Sequence, residues 1–208
     1  MNTNQSPDDV KVAGLFSYPV KGCRVIAHAS ADVLASGIRH DREWMVVDTR
    51  HSPATFLSQR ECPLMATLTV MAAKLGMAHG RLRLVRFHPD MRRDCSRLYA
   101  GDSDAHTFFA DGYPLLVANV DSLADLNARM SRDATQAMPM NRFRPNVVIA
   151  GLPAWDEDHI DTLSIGEVVL KLAKPCVRCQ VTTTDQFSGA QISDEPLNTL
   201  AKFRNNPD

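Results

Sequence analysis

The first half of the chain alternates short apolar runs with turn residues, which is the pattern of β-strands. Residues 12–18, 44–48 and 66–71 are apolar runs typical of buried strands. Residues 81–86 alternate polar and apolar side chains, which indicates a strand with one face in water. Glycine and proline residues separate several of these runs, as expected for turns between strands. The pattern therefore predicts a β-rich first half.

The pattern changes near residue 115. A short apolar strand at 115–118 is followed by polar capping residues and then by leucines at helical spacing, which predicts an amphipathic helix over about 122–131. Residues 146–150 predict another strand, and residues 163–172 predict a strand or a hairpin. A last helix is expected over 195–204. The fold class is therefore mainly β with a few helices, and barrel-like packing is favoured over a βαβ sheet.

Composition and charge narrow the possible classes of function. The chain has 208 residues, 44% of them hydrophobic, which is enough for one large domain or two small ones. Its 23 basic and 24 acidic residues nearly cancel, so we expect no nucleic-acid partner. No apolar run approaches the roughly 20 residues of a membrane-spanning helix, so we expect no membrane partner. The first ten residues are polar and lack signal-peptide character, and the odd count of five cysteines predicts reduced thiols in the cytoplasm.

The sharpest local motif is a pair of cysteines, Cys176 and Cys179. Their Cys-x-x-Cys spacing lets both sulfur atoms face one point, which suits a metal ion, a disulfide or a reactive thiol. The charges of Lys174 and Arg178 would favour the thiolate form. A closed zinc site is disfavoured because no second cysteine pair and no nearby histidine pair completes four ligands. The simplest alternative is two buried thiols in a strand or turn.

Two other segments carry residues that are suited to anions. Arg144 and Asn146 stand at the start of an apolar strand, where the fork of an arginine can hold a phosphate through two hydrogen bonds. Lys21 offers a charge beside the close-approaching backbone of Gly22, and Arg42 offers another cation just before a buried strand. The structural alternatives are a solvated arginine at a β edge and ordinary turns. These residues suggest a phosphate or a polyanionic cofactor.

Six motifs follow one another along the chain: Tyr-Pro-Val-Lys at 18–21, Arg-His-Asp-Arg-Glu-Trp at 39–44, Asp-Gly-Tyr-Pro at 111–114, Phe-Arg-Pro-Asn at 143–146, Cys-Val-Arg-Cys at 176–179 and Thr-Thr-Thr-Asp at 182–185. In this order they resemble the family of proteins with a MOSC (molybdenum cofactor sulfurase C-terminal) domain preceded by a MOSC N-terminal β-barrel domain. The resemblance covers about residues 15–204, and the nearest branch looks like the mitochondrial amidoxime-reducing components and their bacterial relatives.

The resemblance implies a two-domain architecture. A disordered arm at residues 1–10 would precede a MOSC N-terminal β domain at 11–105, packed on a MOSC β-barrel at 106–208. Family members continue beyond the last predicted helix into further strands, so the resemblance implies that the barrel here lacks its last strands. A barrel without its closing strands would expose a sheet edge.

The resemblance also implies a cofactor, the molybdenum cofactor, in which a pterin dithiolene (molybdopterin) carries a phosphate. It assigns Cys179 as the molybdenum ligand and catalytic residue. One soft thiolate suits a metal that is otherwise bound by dithiolene and oxygen ligands. The resemblance places the cofactor-binding positions at Lys21, Gly22, Arg42, Gly112, Tyr113, Arg144 and Asn146.

The activity implied by the resemblance is that of an oxidoreductase that reduces small N-hydroxylated or N-oxygenated compounds. The chain shows no ferredoxin or flavin domain, so separate electron-transfer proteins are the expected partners. The alternative is a molybdenum cofactor or sulfur carrier without turnover, since MOSC domains also accompany pyridoxal-phosphate cysteine desulfurases. A third hypothesis is a β-barrel protein that has lost the cofactor.

Overall fold

A computed structural model describes residues 10–50, 52–68, 81–131 and 136–204 of the chain, and strands predominate in it. The strands are β1 (Lys11–Ser17), β2 (Ile26–His28), β3 (Val33–Leu34), β4 (Gly37–Ile38), β5 (Trp44–Asp48), β6 (Thr55–Phe56), β7 (Leu82–Arg86), β8 (Val117–Asn119), β9 (Val147–Ala150), β10 (Thr162–Ile165) and β11 (Val168–Lys171). The helices are α1 (Arg97–Ala100), α2 (Val120–Arg129) and α3 (Leu197–Leu200). Short 3₁₀ helices occupy Pro63–Thr67, Met140–Phe143, Asp156–Asp158 and Gln180–Thr183.

The largest sheet joins the two halves of the chain. Its strand order is β2-β1-β9-β8, with β1 antiparallel to β2 and β9 and with β8 parallel to β9. Leu15 of β1 lies opposite Val147 of β9, and Val147 also pairs with Val117 of β8. Val147 and Ile149 form a buried core with Leu163 of β10. A strand from the first half of the chain therefore shares a sheet and a core with strands from the second half.

A second core lies in the first half. The three-stranded sheet β6-β5-β7 places Val46 of β5 against Val20, Cys23 and Met65, all of which are buried. The remaining strands form the hairpins β3-β4 and β10-β11. Within the described ranges the strands form four sheets, and none of these sheets closes into a barrel. Over the residues that the structure describes, the protein is mainly β with three short to medium helices, as the sequence predicts.

Some local predictions agree closely with the structure. The strand expected at 44–48 is β5, and the predicted hairpin at 163–172 consists of β10 and β11. Helix α2 begins two residues before the predicted start because the Asn119 side chain caps it by accepting a hydrogen bond from the Asp121 amide. No helix in the described part of the chain is long and apolar enough to cross a membrane.

Other local predictions are wrong. The strand expected at 66–71 is replaced through residue 67 by the 3₁₀ helix Pro63–Thr67, and residues 69–71 lie outside the described ranges. Pro63 favours a helical start, and burial of Met65 and Ala66 makes the segment apolar without making it extended. The expected helix over 195–204 is α-helical only at Leu197–Leu200. The disordered arm expected at 1–10 stays a prediction, because residues 1–9 lie outside the described ranges; Val10 packs against the Val147 core.

Candidate functional site

The loop that follows β1 is docked onto the segment that precedes β5. The Tyr18 amide donates to the Asp41 carboxylate at 2.7 Å, and the Arg42 amide donates to the Tyr18 carbonyl at 2.9 Å. The Lys21 amide donates to the Trp44 carbonyl at 2.8 Å. These contacts bring the side chains of Lys21 and Arg42 to the same end of β1.

The buried ring of Tyr18 lies against two guanidinium groups. The Cζ atom of Arg42 is 4.6 Å from the ring centroid, and that of Arg144 is 4.2 Å from it. The Tyr18 hydroxyl donates to the Pro145 carbonyl at 3.1 Å. Burial raises the pKa of Tyr18 to about 12, although the charges of Arg144 and Arg42 act in the opposite direction. Tyr18 is therefore a neutral platform that holds two cations close together.

Arg144 is a buried cation whose hydrogen-bond acceptors are neutral. It is 8% exposed, and its backbone is left-handed with a φ of 55° at the end of the 3₁₀ helix Met140–Phe143. Its Nη1 donates to Gln186 Oε1 and its Nη2 to the Cys23 carbonyl, each at 2.8 Å. None of the ion pairs among the described residues includes Arg144. Burial lowers the pKa of Arg144 to about 10, so the guanidinium is still charged at neutral pH.

Asn146 and Arg42 connect this cation to the main sheet. Asn146 is 1% exposed, and its Oδ1 accepts from Arg42 Nη1 at 3.1 Å and from the Leu116 amide at 3.2 Å. Its Nδ2 donates to the Phe16 carbonyl at 3.1 Å. Arg42 also pairs with Asp41 and reaches the Arg144 carbonyl at 3.3 Å. The oxygen and the nitrogen of the Asn146 amide both contact other protein groups, so Asn146 holds Arg42 in its orientation.

Lys21 faces the segment that contains Gly112 and Tyr113. Its Nζ is 2.6 Å from Asp111 Oδ1, and the Asp111 side chain is 85% exposed. Crowding by surrounding protein tends to raise the pKa of Asp111, but the Lys21 hydrogen bond and nearby cations hold that pKa below its ordinary value. Gly112 is exposed with open space where a side chain would be, and the Tyr113 ring packs edge-on against Tyr99 at 6.5 Å. This segment forms the open rim beside Lys21.

The two motif cysteines differ in their surroundings. Cys179 is half-buried, and its carbonyl accepts from both the amide and the hydroxyl of Thr182 at 3.0 Å, which fixes it at the start of the 3₁₀ helix Gln180–Thr183. A hydrogen bond from Arg60 to the Cys179 side chain raises the pKa of Arg60. Cys176 is exposed, with Arg178 Nη1 3.4 Å from its sulfur. Both thiols are free in this structure, and because Cys176 is exposed and Cys179 half-buried, the alternative of two buried thiols is wrong.

Two glutamines that the sequence analysis did not single out lie at the centre of the site. Gln59 and Gln186 are buried, and each donates through Nε2 to the Oε1 of the other, at 3.1 Å and 2.9 Å. Arg60, which reaches Cys179, was also missed. Gln186 directly follows the Thr-Thr-Thr-Asp motif, which is the only signal that could have pointed to it; Gln59 and Arg60 lie in no recognisable motif.

The structure gathers the predicted residues around one loop. Cys23 contacts Arg144, Gly22 contacts Gln59, and the next residue, Arg60, contacts Cys179. Contacts made by the predicted site residues, or by residues adjacent to them in the sequence, connect the whole predicted set. The set consists of Lys21, Gly22, Arg42, Gly112, Tyr113, Arg144, Asn146 and Cys179. A depression of about 570 Å³ lies elsewhere, beside Lys11 at the opposite end of β1, and it contains none of these residues.

Two family models match the chain and together cover nearly all of it. The MOSC N-terminal beta barrel domain matches residues 9–111, and the MOSC domain matches residues 104–207. The chain therefore belongs to the family of MOSC domain proteins that carry a MOSC N-terminal beta barrel domain.

Named relatives agree with this assignment. The chain is similar to the human mitochondrial amidoxime reducing component 2, with 31% identity over 246 residues that cover 93% of this chain and 72% of the relative. It is 29% identical to the mouse mitochondrial amidoxime-reducing component 1, over 93% of this chain and 71% of the relative. It also resembles the rice molybdenum cofactor sulfurase, with 26% identity over 98% of this chain and 32% of that protein. The alignment to the human relative is longer than the 208 residues of this chain, so that relative carries segments without a counterpart here.

Proposed function

We propose that this chain binds the molybdenum cofactor, with Cys179 as the protein ligand of the metal, and that it reduces N-oxygenated compounds. The observation that carries the proposal is the buried guanidinium of Arg144, which has no carboxylate partner among the described ion pairs and lies one contact away from the loop of Lys21. A buried charge without a counter-ion is costly, and an anionic ligand relieves that cost. Relatives of this chain are named for amidoxime reduction and for the molybdenum cofactor, which supports this choice of ligand and activity.

The residues present fit an anionic pterin that carries a soft metal. Cys179 supplies one half-buried sulfur, and the described part of the chain has no group of three metal-ligating side chains that would form an all-protein site. Arg60 lies beside the Cys179 sulfur, and the connected residues add Lys21, which pairs with Asp111, and Arg42, which pairs with Asp41. A guanidinium has five N–H groups, and Arg144 uses two in the contacts described above, so it keeps donors for a phosphate.

Different side chains of the site would bind different parts of the cofactor. Cys179 would hold the metal, with the Arg60 guanidinium beside its sulfur. Arg42 and Arg144 would hold the phosphate, with Tyr18 and Asn146 fixing their positions. Asp111 pairs with Lys21 at the rim, so we expect an anionic ligand to displace this exposed carboxylate and take its place on the ammonium group.

The cofactor, when bound, supplies two-electron oxygen-atom chemistry, which converts an amidoxime to an amidine and water with two electrons and two protons. Gly112 and Tyr113 would offer main-chain groups to the pterin at the open side. A small N-oxygenated substrate would approach from that side. Separate electron-transfer proteins would supply the electrons.

The first test is the molybdenum and pterin content of the purified chain after expression in a host that makes the cofactor. Cys179→Ser is compared with Cys176→Ser, because the second variant removes a neighbouring thiol that we assign no role in binding. We expect near-stoichiometric metal in the parent protein and in Cys176→Ser, and its loss in Cys179→Ser with unchanged thermal stability. Molybdenum that survives in Cys179→Ser would overturn the ligand assignment. Turnover is then measured with an aryl amidoxime and a reduced viologen dye.

A second candidate function is that of a cofactor or sulfur carrier without turnover. It is favoured by the exposed thiol of Cys176 with a guanidinium beside its sulfur, since such a thiol is accessible to a sulfur donor such as a cysteine desulfurase. Cofactor binding without amidoxime reduction, or a persulfide on Cys176 detected by mass spectrometry, would support the carrier. Reduction of the amidoxime by the loaded protein would support the enzyme.

A further inference from the structure

The carboxamide of Gln186 links three distant segments of the chain. Its Oε1 accepts from Arg144 Nη1 at 2.8 Å and from Gln59 Nε2 at 3.1 Å. Its Nε2 donates to Gln59 Oε1 at 2.9 Å and to the Thr184 carbonyl at 3.1 Å. Gln59 in turn donates to the Gly22 carbonyl at 2.7 Å. Both polar atoms of a buried amide are therefore satisfied, which fixes its orientation.

Asp185 and Gln186, which are adjacent in the chain, bind the two arginines Arg142 and Arg144 in different ways. Asp185 forms an ion pair with Arg142 at 3.2 Å, whereas Gln186 binds Arg144 at 2.8 Å without a charge. Both arginines are largely buried. Asp185 thus forms an ion pair with its partner, whereas Gln186 holds its partner in place through a neutral acceptor and adds no counter-ion. A glutamate at 186 would have nearly the same shape and would form a second ion pair.

We propose that Gln186 is a positioning residue, which fixes the guanidinium of Arg144 with a neutral acceptor so that its charge stays available to a phosphate group of a bound ligand. The proposal deepens the proposed function, since that phosphate would be the one of the cofactor. Gln59 completes the arrangement because it holds the Gln186 amide and the Gly22 backbone together. Gln186 accepts a hydrogen bond from Arg144 and carries no charge, and the absence of charge is the property that leaves Arg144 available to the phosphate.

The test is Gln186→Glu, which keeps an acceptor for Arg144 and adds a negative charge. We expect the thermal stability of the cofactor-free protein to be unchanged or higher, because Arg144 gains a counter-ion. We expect its stabilisation by inorganic phosphate, followed as the shift in melting temperature with phosphate concentration, to require at least tenfold more phosphate. Molybdenum and pterin content after expression should fall in parallel. A purely structural role would move stability and binding in the same direction.

Asp185→Asn is the matched control because it alters charge at the adjacent position and keeps the side-chain oxygen. We expect it to leave the phosphate response unchanged. Gln186→Met is the second variant, needed if the buried glutamate prevents folding. It removes the acceptor without adding charge, so it should weaken the phosphate response about threefold to tenfold and lower the melting temperature.

The outcomes separate the two proposals. A phosphate response that is present in the parent protein and lost in Gln186→Glu supports the positioning role, even if the parent protein contains no molybdenum and the proposed function fails. A phosphate response in Gln186→Glu equal to that of the parent overturns the positioning role, whatever the metal content. No phosphate response in the parent protein also overturns it.

Discussion

Two clusters in this molecule are built from the same parts and differ in their charge balance. In the interior cluster, defined by Tyr18, Arg42 and Arg144, two guanidinium groups lie against one ring. In the carboxy-terminal cluster, two guanidinium groups lie over two packed rings. It consists of Arg129 over Phe203 at 4.1 Å, Arg204 over Trp155 at 4.8 Å, and the contact between the two rings at 5.2 Å.

The carboxylates explain the difference in role. Arg129 pairs with Asp125 at 2.5 Å, and Arg204 pairs with Asp158, so the carboxy-terminal cluster neutralises itself. In the interior cluster Asp41 pairs with Arg42, and the acceptors that the described residues offer to Arg144 are neutral. The self-neutral cluster fastens Phe203 and Arg204 onto Arg129 of α2 and onto Trp155. A cluster whose buried cation forms no ion pair among the described residues is suited to bind an anion.

The largest effect is expected when one arginine is removed from each cluster and the two variants, Arg144→Met and Arg129→Met, are compared. We expect Arg144→Met to abolish stabilisation by phosphate and to lower the free energy of unfolding by about 1–3 kcal/mol, because the Cys23 carbonyl loses its donor. Arg129→Met should cost about 1 kcal/mol and leave the phosphate response intact. Denaturant unfolding with and without phosphate measures both quantities. An unchanged phosphate response in Arg144→Met would show that the two clusters do not differ in function.

The second prediction concerns the pH dependence of stability, which the interior cluster should lose at alkaline pH and the carboxy-terminal cluster at acid pH. Burial raises the pKa of Cys23, beside Arg144, from 9.0 to about 11, so the folded protein keeps a proton there that the unfolded chain releases. The stability that depends on this proton is fully present below pH 9 and is lost between about pH 9 and 11, with a slope near 1.4 kcal/mol per pH unit.

The carboxy-terminal cluster responds at the acid end of the pH range. A hydrogen bond from Arg129 holds the pKa of Asp125 below its ordinary value of 3.8, so the stability it contributes is present above that value and is lost as the pH falls through the folded pKa. Cys23→Ala should flatten the alkaline limb of the stability curve, and Asp125→Asn should flatten the acid limb. Equal alkaline slopes with and without the Cys23 thiol would contradict the prediction.

The smallest expected effect sharpens the comparison by removing one hydrogen bond from each cluster. Tyr18→Phe keeps the ring but removes the donor to the Pro145 carbonyl, and Trp155→Phe removes the indole N–H that donates to Asp125 at 2.7 Å. Each should lower stability by about 1 kcal/mol. Only Tyr18→Phe should alter the phosphate response, by a few-fold, because the lost hydrogen bond to the Pro145 carbonyl fixes the ring that lies against Arg144. If both variants or neither variant changed that response, the assigned roles would be incorrect.

Strands that are set by local pattern could be predicted well from the sequence. The alternating run at 81–86 gave β7 within one residue, and the apolar run at 44–48 gave β5. Residues 66 and 67 were mispredicted as part of a strand because residues 65 and 66 are buried by packing from other segments, and burial alone does not distinguish an extended segment from a 3₁₀ helix. The two ends of α3 were also missed, because the helix is limited to Leu197–Leu200, with Pro196 as its N-cap.

The candidate site could be predicted only in part. The residues within recognisable motifs, including Lys21, Arg42, Arg144 and Cys179, lie close together as a family site requires. Their roles as cofactor ligands remain a prediction. Arg60 was missed because nothing in its local sequence marks it. Its relevance comes from its contact with the sulfur of Cys179, which lies far away in the sequence.

The sequence by itself determined the mainly β class, the order of the motifs and the kinds of side chain available to an anion and a soft metal. Only the tertiary structure decided which arginines are neutralised, which of the two motif cysteines is exposed, and which neutral side chains hold the cations. Gln59 and Gln186 are separated by 127 positions, yet their amides pair. Charge compensation depends on such long-range contacts, because a charge is neutralised by its neighbours in space, and local sequence does not specify those neighbours.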